Sequence, residues 1–137
     1  MDNILNYISW RGDLDFSVSP FNEVDALILS QLVYLNFSSA VADDYHSPIS
    51  LEDLVKKIEN ENLLDEISQI PLAVNEETIP LLFRTASSAR FAKVKLCCFV
   101  SKTDVNKEEQ FAAVTFVLDK KTAFISFRGT DGAIIGW

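Results

Sequence analysis

The sequence predicts an α+β domain in which a helical half precedes an antiparallel sheet. Apolar residues recur at helical spacing in several segments between residues 3 and 88. Between residues 91 and 127 the pattern changes to alternating or continuous apolar runs, which are typical of strands. The polar connections between these runs are short, and short connections join antiparallel neighbours. With 137 residues, the chain is expected to form a single domain over residues 1–137.

Capping signals mark the starts of two helices in the first half. Asn22 is followed at the capping-box spacing by Asp25, and Ser50 is followed in the same way by Asp53. A later helical segment contains Pro80, which a helix accepts only in its first turn. The predicted helices cover residues 3–10, 23–35, 51–60 and 76–88.

A three-stranded meander is predicted over residues 91–127, with strands at 91–103, 110–118 and 122–127. These strands are apolar on both faces, so both faces of the sheet are expected to be covered. The two cysteines, Cys97 and Cys98, are neighbours in the first strand. Strand neighbours point to opposite faces, so both are expected to be reduced and buried thiols.

One further segment of extended chain is predicted before the second helix. Residues 14–20 alternate apolar and polar side chains up to Pro20, which is the pattern of a half-buried strand. The preceding Gly12 is expected to form the turn that ends the first helix.

The charge of the chain argues against nucleic acid as a partner. Twelve basic and twenty acidic residues give a net charge of −8, which phosphate backbones and anionic membrane surfaces repel.

The longest apolar stretch, residues 26–37, contains polar residues and is too short to span a membrane. Reduced cysteines and the absence of a basic leader indicate a cytoplasmic protein. The loop around His46 lacks the ligand spacing of a metal site, and neither a metal nor a cofactor is expected.

The most specific motif is Arg128–Gly129–Thr130, which follows an apolar strand and precedes Trp137. With this strand and loop, residues 122–137 resemble the corresponding segment of class 3 lipases. Residues 7–35 resemble the N-terminus of an uncharacterised bacterial family related to those lipases. The resemblance implies the N-terminal portion of an α/β-hydrolase fold and an ester or lipid-like substrate.

The resemblance also implies roles for the loop residues. Thr130 would donate to the negative oxygen that develops in acyl transfer, and Gly129 would let the backbone approach the substrate. Arg128, together with Asp131 and Trp137, would support the loop.

The sequence departs from a serine hydrolase in one decisive respect. It contains no G-x-S-x-G, the strand-to-helix turn that carries the nucleophile in this fold. The single histidine, His46, precedes every position at which the triad histidine would follow the serine. The chain is therefore expected to be inactive alone, as a fragment that supplies the oxyanion loop. The alternatives are a degenerate hydrolase domain and a non-catalytic, acidic protein-interaction module.

Overall fold

A computed structural model describes residues 7–8, 12–68, 78–104 and 109–128, and within them it shows a mixed α+β fold. Residues 7–8 are helical. The complete helices are α1 (Glu23–Leu32), α2 (Leu51–Asn60), α3 (Leu64–Ser68) and α4 (Thr78–Ser87). The strands are β1 (Ile49–Ser50), β2 (Lys95–Asp104), β3 (Glu109–Val117) and β4 (Ala123–Arg128).

The helices follow the predicted pattern with one clear difference. Helix α2 has the predicted bounds, and α4 lies within the predicted 76–88, with Pro80 in its first turn. Helix α1 ends at Leu32, three residues before the predicted end. Tyr34 and Leu35 donate their backbone N–H groups three residues back, to Gln31 and Leu32, which tightens the chain into a turn. Of the predicted helix 3–10, only residues 7–8 belong to the described part.

The predicted cap at the start of α1 is confirmed. The side-chain oxygen of Asn22 accepts from the backbone N–H groups of Val24 at 2.8 Å and Asp25 at 3.1 Å. In the opposite direction, the Asp25 carboxylate accepts from the backbone N–H of Asn22 at 2.9 Å. This reciprocal pair satisfies backbone donors that a helix start leaves free. At α2, the Ser50 hydroxyl accepts from the Asp53 N–H at 3.2 Å.

The sheet has the order β1-β2-β3-β4, and all neighbouring strands are antiparallel. The predicted meander corresponds to β2, β3 and β4. Strand β1 was not predicted, because two residues are too few to show a period. The prediction was wrong for residues 91–94, which form a turn in which Val94 donates to the Phe91 carbonyl at 3.0 Å. The side chains of Phe91 and Val94 are buried without being part of a strand.

Residues 14–20 also differ from the prediction, because they contain a turn and no strand. One carboxylate oxygen of Asp15 accepts from the backbone N–H groups of Ser17 and Val18, both at 3.0 Å. A short acidic side chain that binds backbone donors two and three residues ahead favours a turn over extended chain. The hydrogen bonds of the Asp15 side chain therefore stabilise a turn in a segment whose alternating apolar pattern had indicated extended chain.

The cysteine pair lies at a β-bulge, which corrects the expectation of opposite faces. Cys97 pairs with Thr115, whereas the next paired residue, Val100, is opposite Ala113, so β2 contains one extra residue. Cys98 adopts a left-handed backbone with φ of 58°. The two sulfur atoms lie 3.5 Å apart. Cys97 is buried and Cys98 is half-buried, and both are free thiols.

The hydrophobic core lies between one face of the sheet and the helices. It includes Val114 and Phe116 of β3, which pack with fully buried residues of α1, α2 and α4. The opposite face was expected to be covered, but it is exposed in the described part of the chain. On that face Phe111, Ile125 and Phe127 have exposed fractions of 40%, 53% and 55%. Cross-strand pairing aligns Phe127 with Ala113 and Ile125 with Thr115.

Candidate functional site

Strand β4 ends at Arg128, the first residue of the candidate site that the sequence marks. Arg128 pairs with Ala112 of β3 and is the one member of the candidate site that the structure describes. The other predicted site residues lie outside the described residues: Gly129, Thr130, Asp131 and Trp137.

The Arg128 side chain is folded into the protein at the end of β4. Its exposed fraction is 9%, and Nη1 donates to the backbone carbonyl of Tyr34 at 3.5 Å, in the turn after α1. Burial lowers the pKa of the Arg128 guanidinium from its usual value, because desolvation disfavours the charged form. Its Nε is buried and has no hydrogen-bond partner among the described residues.

A second polar group on β4 shares this environment. Ser126, two residues before Arg128 and on the same face of the strand, has an exposed fraction of 2%. Its hydroxyl is likewise buried, with no partner among the described residues. Buried polar atoms normally find partners, so the inward end of β4 has hydrogen-bonding capacity that this part of the chain leaves unused. Ser126 was not predicted as a site residue, because a single serine within an apolar strand has no distinguishing pattern in the sequence.

The described residues do not assemble a nucleophile and a base. His46 is exposed in the loop after α1, and its ring stacks on Tyr45 with the ring centres 4.2 Å apart. Its backbone N–H donates to the Asp44 carboxylate at 2.9 Å, which is a turn interaction. Within the described ranges, no serine or cysteine side chain is hydrogen-bonded to the His46 ring.

Among the residues that the structure describes, no group of three or more histidine, cysteine and acidic residues is arranged to hold a metal ion. None of the described helices has the length and apolar character needed to cross a membrane.

Comparison with known proteins gives a similarity that includes the candidate site. Residues 85–137 match the family model Mbeg1-like. The match begins in the last turn of α4, spans β2 to β4 and includes the Arg128–Gly129–Thr130 motif. It covers well under half of the chain. No curated protein and no solved structure matches the sequence. The chain is therefore similar to the Mbeg1-like family over residues 85–137, which include β2, β3 and β4 and the Arg128–Gly129–Thr130 motif.

Proposed function

We propose that this chain is the N-terminal part of a lipase-like serine hydrolase and that it supplies the oxyanion-hole loop. The observation that carries the proposal is the burial of Arg128 at the end of β4, immediately before Gly129 and Thr130. In this account Thr130 donates to the oxyanion through its backbone N–H and its hydroxyl. The substrate class is an ester, thioester or amide that reacts through an acyl-enzyme.

Stabilising an oxyanion requires donors that are held in place before charge develops. A buried side chain at the root of the loop supports this requirement. The Arg128 side chain is buried and Nη1 donates to the Tyr34 carbonyl at 3.5 Å, so the end of β4 contacts the turn after α1. Arg128 is in this account a positioning residue, because it acts on the loop and does not contact substrate.

The nucleophile is assigned to residues that this sequence does not contain. The 137 residues include no G-x-S-x-G, and an oxyanion donor without a nucleophile is not an acyl-transfer enzyme. Residues 1–137 are accordingly expected to hydrolyse no ester by themselves. Activity requires the strand, nucleophile turn and late histidine of a longer product.

Labelling with a fluorophosphonate, which reacts with activated serines, tests this proposal. The purified 137-residue chain should remain unlabelled. The product of the gene read beyond the codon for Trp137 should be labelled at one serine, and replacing that serine with alanine should abolish labelling. Labelling of the 137-residue chain would contradict the proposal, and so would a folded longer product that takes up no probe.

A second candidate function is a non-catalytic interaction module, and the exposed sheet face favours it. Phe111, Ile125 and Phe127 form an apolar area on β3 and β4, of a kind that marks binding surfaces in soluble proteins. The partner would be a protein that presents an apolar surface to this face. A stable and monomeric 137-residue product that resists fluorophosphonate and has no longer counterpart would favour this function over the hydrolase.

A further inference from the structure

The bulge in β2 brings two thiols together in a way that a regular strand does not allow. Successive strand residues point to opposite faces, whereas the sulfur atoms of Cys97 and Cys98 lie 3.5 Å apart. The left-handed backbone of Cys98 produces this arrangement, with φ of 58°. Such a conformation is unfavourable for a residue with a Cβ, so the surrounding structure must hold it.

The loop before β1 holds the bulge from outside the sheet. The backbone N–H of Cys98 donates to the Asp44 carbonyl at 3.2 Å, and that of Phe99 donates to the Ala42 carbonyl at 3.0 Å. Cys98 and Phe99 are the two residues of β2 at which the pairing with β3 is interrupted. The geometry of the thiol pair is therefore imposed by contacts between distant parts of the chain.

The state of the two thiols determines the chemistry open to them. Burial raises the pKa of the Cys97 thiol to about 11, and the neighbouring Cys98 thiol contributes in the same direction. Cys97 is therefore protonated at neutral pH, which disfavours reactions that start from a thiolate. The sulfur separation is also far longer than the ~2.05 Å of a disulfide. Cys98 is half-buried and gives a small reagent a point of entry.

We propose that Cys97 and Cys98 form a bidentate site for a thiophilic trivalent centre, the class represented by trivalent organic arsenicals. Two sulfurs bound to one pyramidal centre stay close to contact distance, so the observed pair needs less movement for this bridge than for a disulfide. This site is independent of the hydrolase proposal.

The binding step is balanced without an oxidant. An arsenoxide reacts with both thiols, two arsenic–sulfur bonds form, and two S–H bonds break. The arsenic-bound oxygen leaves as water and takes both protons with it. Arsenic remains trivalent and both sulfurs remain at the oxidation level of thiols.

Titration with phenylarsine oxide under reducing conditions tests the site. The 137-residue chain should take up one phenylarsenic group by intact mass, retain it in excess monothiol and release it to a dithiol. Cys97→Ser and Cys98→Ser should each weaken binding on the order of 100-fold or more, because the second thiol acts at high effective concentration. The matched control combines Cys98→Ser with Ser101→Cys, which keeps two thiols but separates them, and it should bind as weakly as the single variants.

Thermal unfolding separates a native site from a property of any adjacent cysteine pair. A ligand that binds the folded state raises the melting temperature, so phenylarsine oxide should raise that of the wild-type chain and leave that of the separated-thiol control unchanged. A lowered melting temperature of the wild type would overturn the proposal, since the reagent would then prefer the unfolded chain. Equal affinity for the wild type and the control would overturn it as well.

Discussion

Arg90 and Asp25 form a bidentate ion pair across 65 residues of sequence, and both side chains are fully buried. Nε of Arg90 donates to Oδ1 at 2.8 Å, and Nη2 donates to Oδ2 at 2.5 Å. The remaining guanidinium donors bind the backbone carbonyls of Leu14, Ser19 and Pro20, so every N–H of the side chain is used. The pair ties the turn before α1 to the segment before β2.

Breaking this ion pair from one side should destabilise the protein strongly. Arg90→Met leaves the Asp25 carboxylate buried without its cation, and we expect a loss of about 3–5 kcal/mol in the free energy of unfolding. Urea denaturation measures it. The double variant Asp25→Leu with Arg90→Met should lose less than the sum of the two single variants, because no unpaired charge remains. If each single variant lost less than about 1 kcal/mol of unfolding free energy and the double variant lost their sum, the ion pair would not couple these two segments.

Gly12 is expected to tolerate no side chain. A Cβ at this position would lie 2.3 Å from the Ile8 carbonyl oxygen and 3.1 Å from the Cβ of Ser88. The same residue accepts from the backbone N–H of Arg90 at 2.8 Å, so the backbone has little room to retreat. Gly12→Ala should therefore cost about 1–3 kcal/mol of stability by thermal or urea unfolding. Ser39→Ala, at an exposed position, is the control and should change stability by less than about 0.5 kcal/mol.

Stability should fall at alkaline pH because of Cys97. Its pKa rises from 9.0 to about 11 in the folded state, chiefly through burial. Between these values the folded chain keeps a proton that the unfolded chain loses, so unfolding becomes more favourable as pH rises. The stability that the raised pKa of Cys97 contributes is intact below pH 9 and is lost towards pH 11. The free energy of unfolding falls there with a slope of up to ~1.4 kcal/mol per pH unit. Cys97→Ala should remove this component, and identical pH profiles for the two proteins would refute the assignment.

The exposed face of β4 should accept charge without loss of stability. Ile125→Lys places an ammonium on a side chain position that is already 53% exposed, and we expect a change within about 0.5 kcal/mol. Dye binding and self-association should decrease, because the apolar area becomes smaller. Phe116→Lys in β3 is the control, since Phe116 is fully buried and its replacement should unfold the chain. A large destabilisation by Ile125→Lys would mean that the face is covered in solution.

Thr130 is the residue whose hydroxyl the hydrolase proposal uses most directly. In an active longer product, Thr130→Ala keeps the backbone donor and removes the hydroxyl. We expect kcat to fall by roughly 10–100-fold with a smaller change in KM, which is near or below the effect of losing a whole oxyanion donor. Thr130→Ser should retain most of the activity. Unchanged kcat in Thr130→Ala would remove the hydroxyl from the mechanism.

Local signals explain which parts of the fold were predicted from the sequence. The caps at Asn22 and Ser50 were found because their bonds join residues two or three apart. Strands β3 and β4 were found because their apolar runs are long enough to show a pattern. The Arg90–Asp25 pair was not foreseen, since Asp25 already had a local explanation as a capping residue and nothing in the sequence indicates its distant partner.

The position of the candidate site was predicted from local sequence, whereas features that depend on tertiary contacts were not. The sequence placed Arg128 directly after a strand at 122–127, and in the structure Arg128 is the last residue of that strand, β4. It did not indicate the bulge at Cys98, because the left-handed backbone depends on contacts with Ala42 and Asp44 in a distant loop. The exposed face of the sheet was missed for a similar reason. Apolar composition shows that a face can be buried, but the elements that would cover it belong to tertiary structure.

Reading the gene beyond the codon for Trp137 tests the hydrolase account most directly. The account predicts an open frame that encodes a strand, a G-x-S-x-G turn, a helix and a later histidine, in that order. A stop codon at this point, together with a 137-residue product that is stable, monomeric and cooperatively folded, would contradict it.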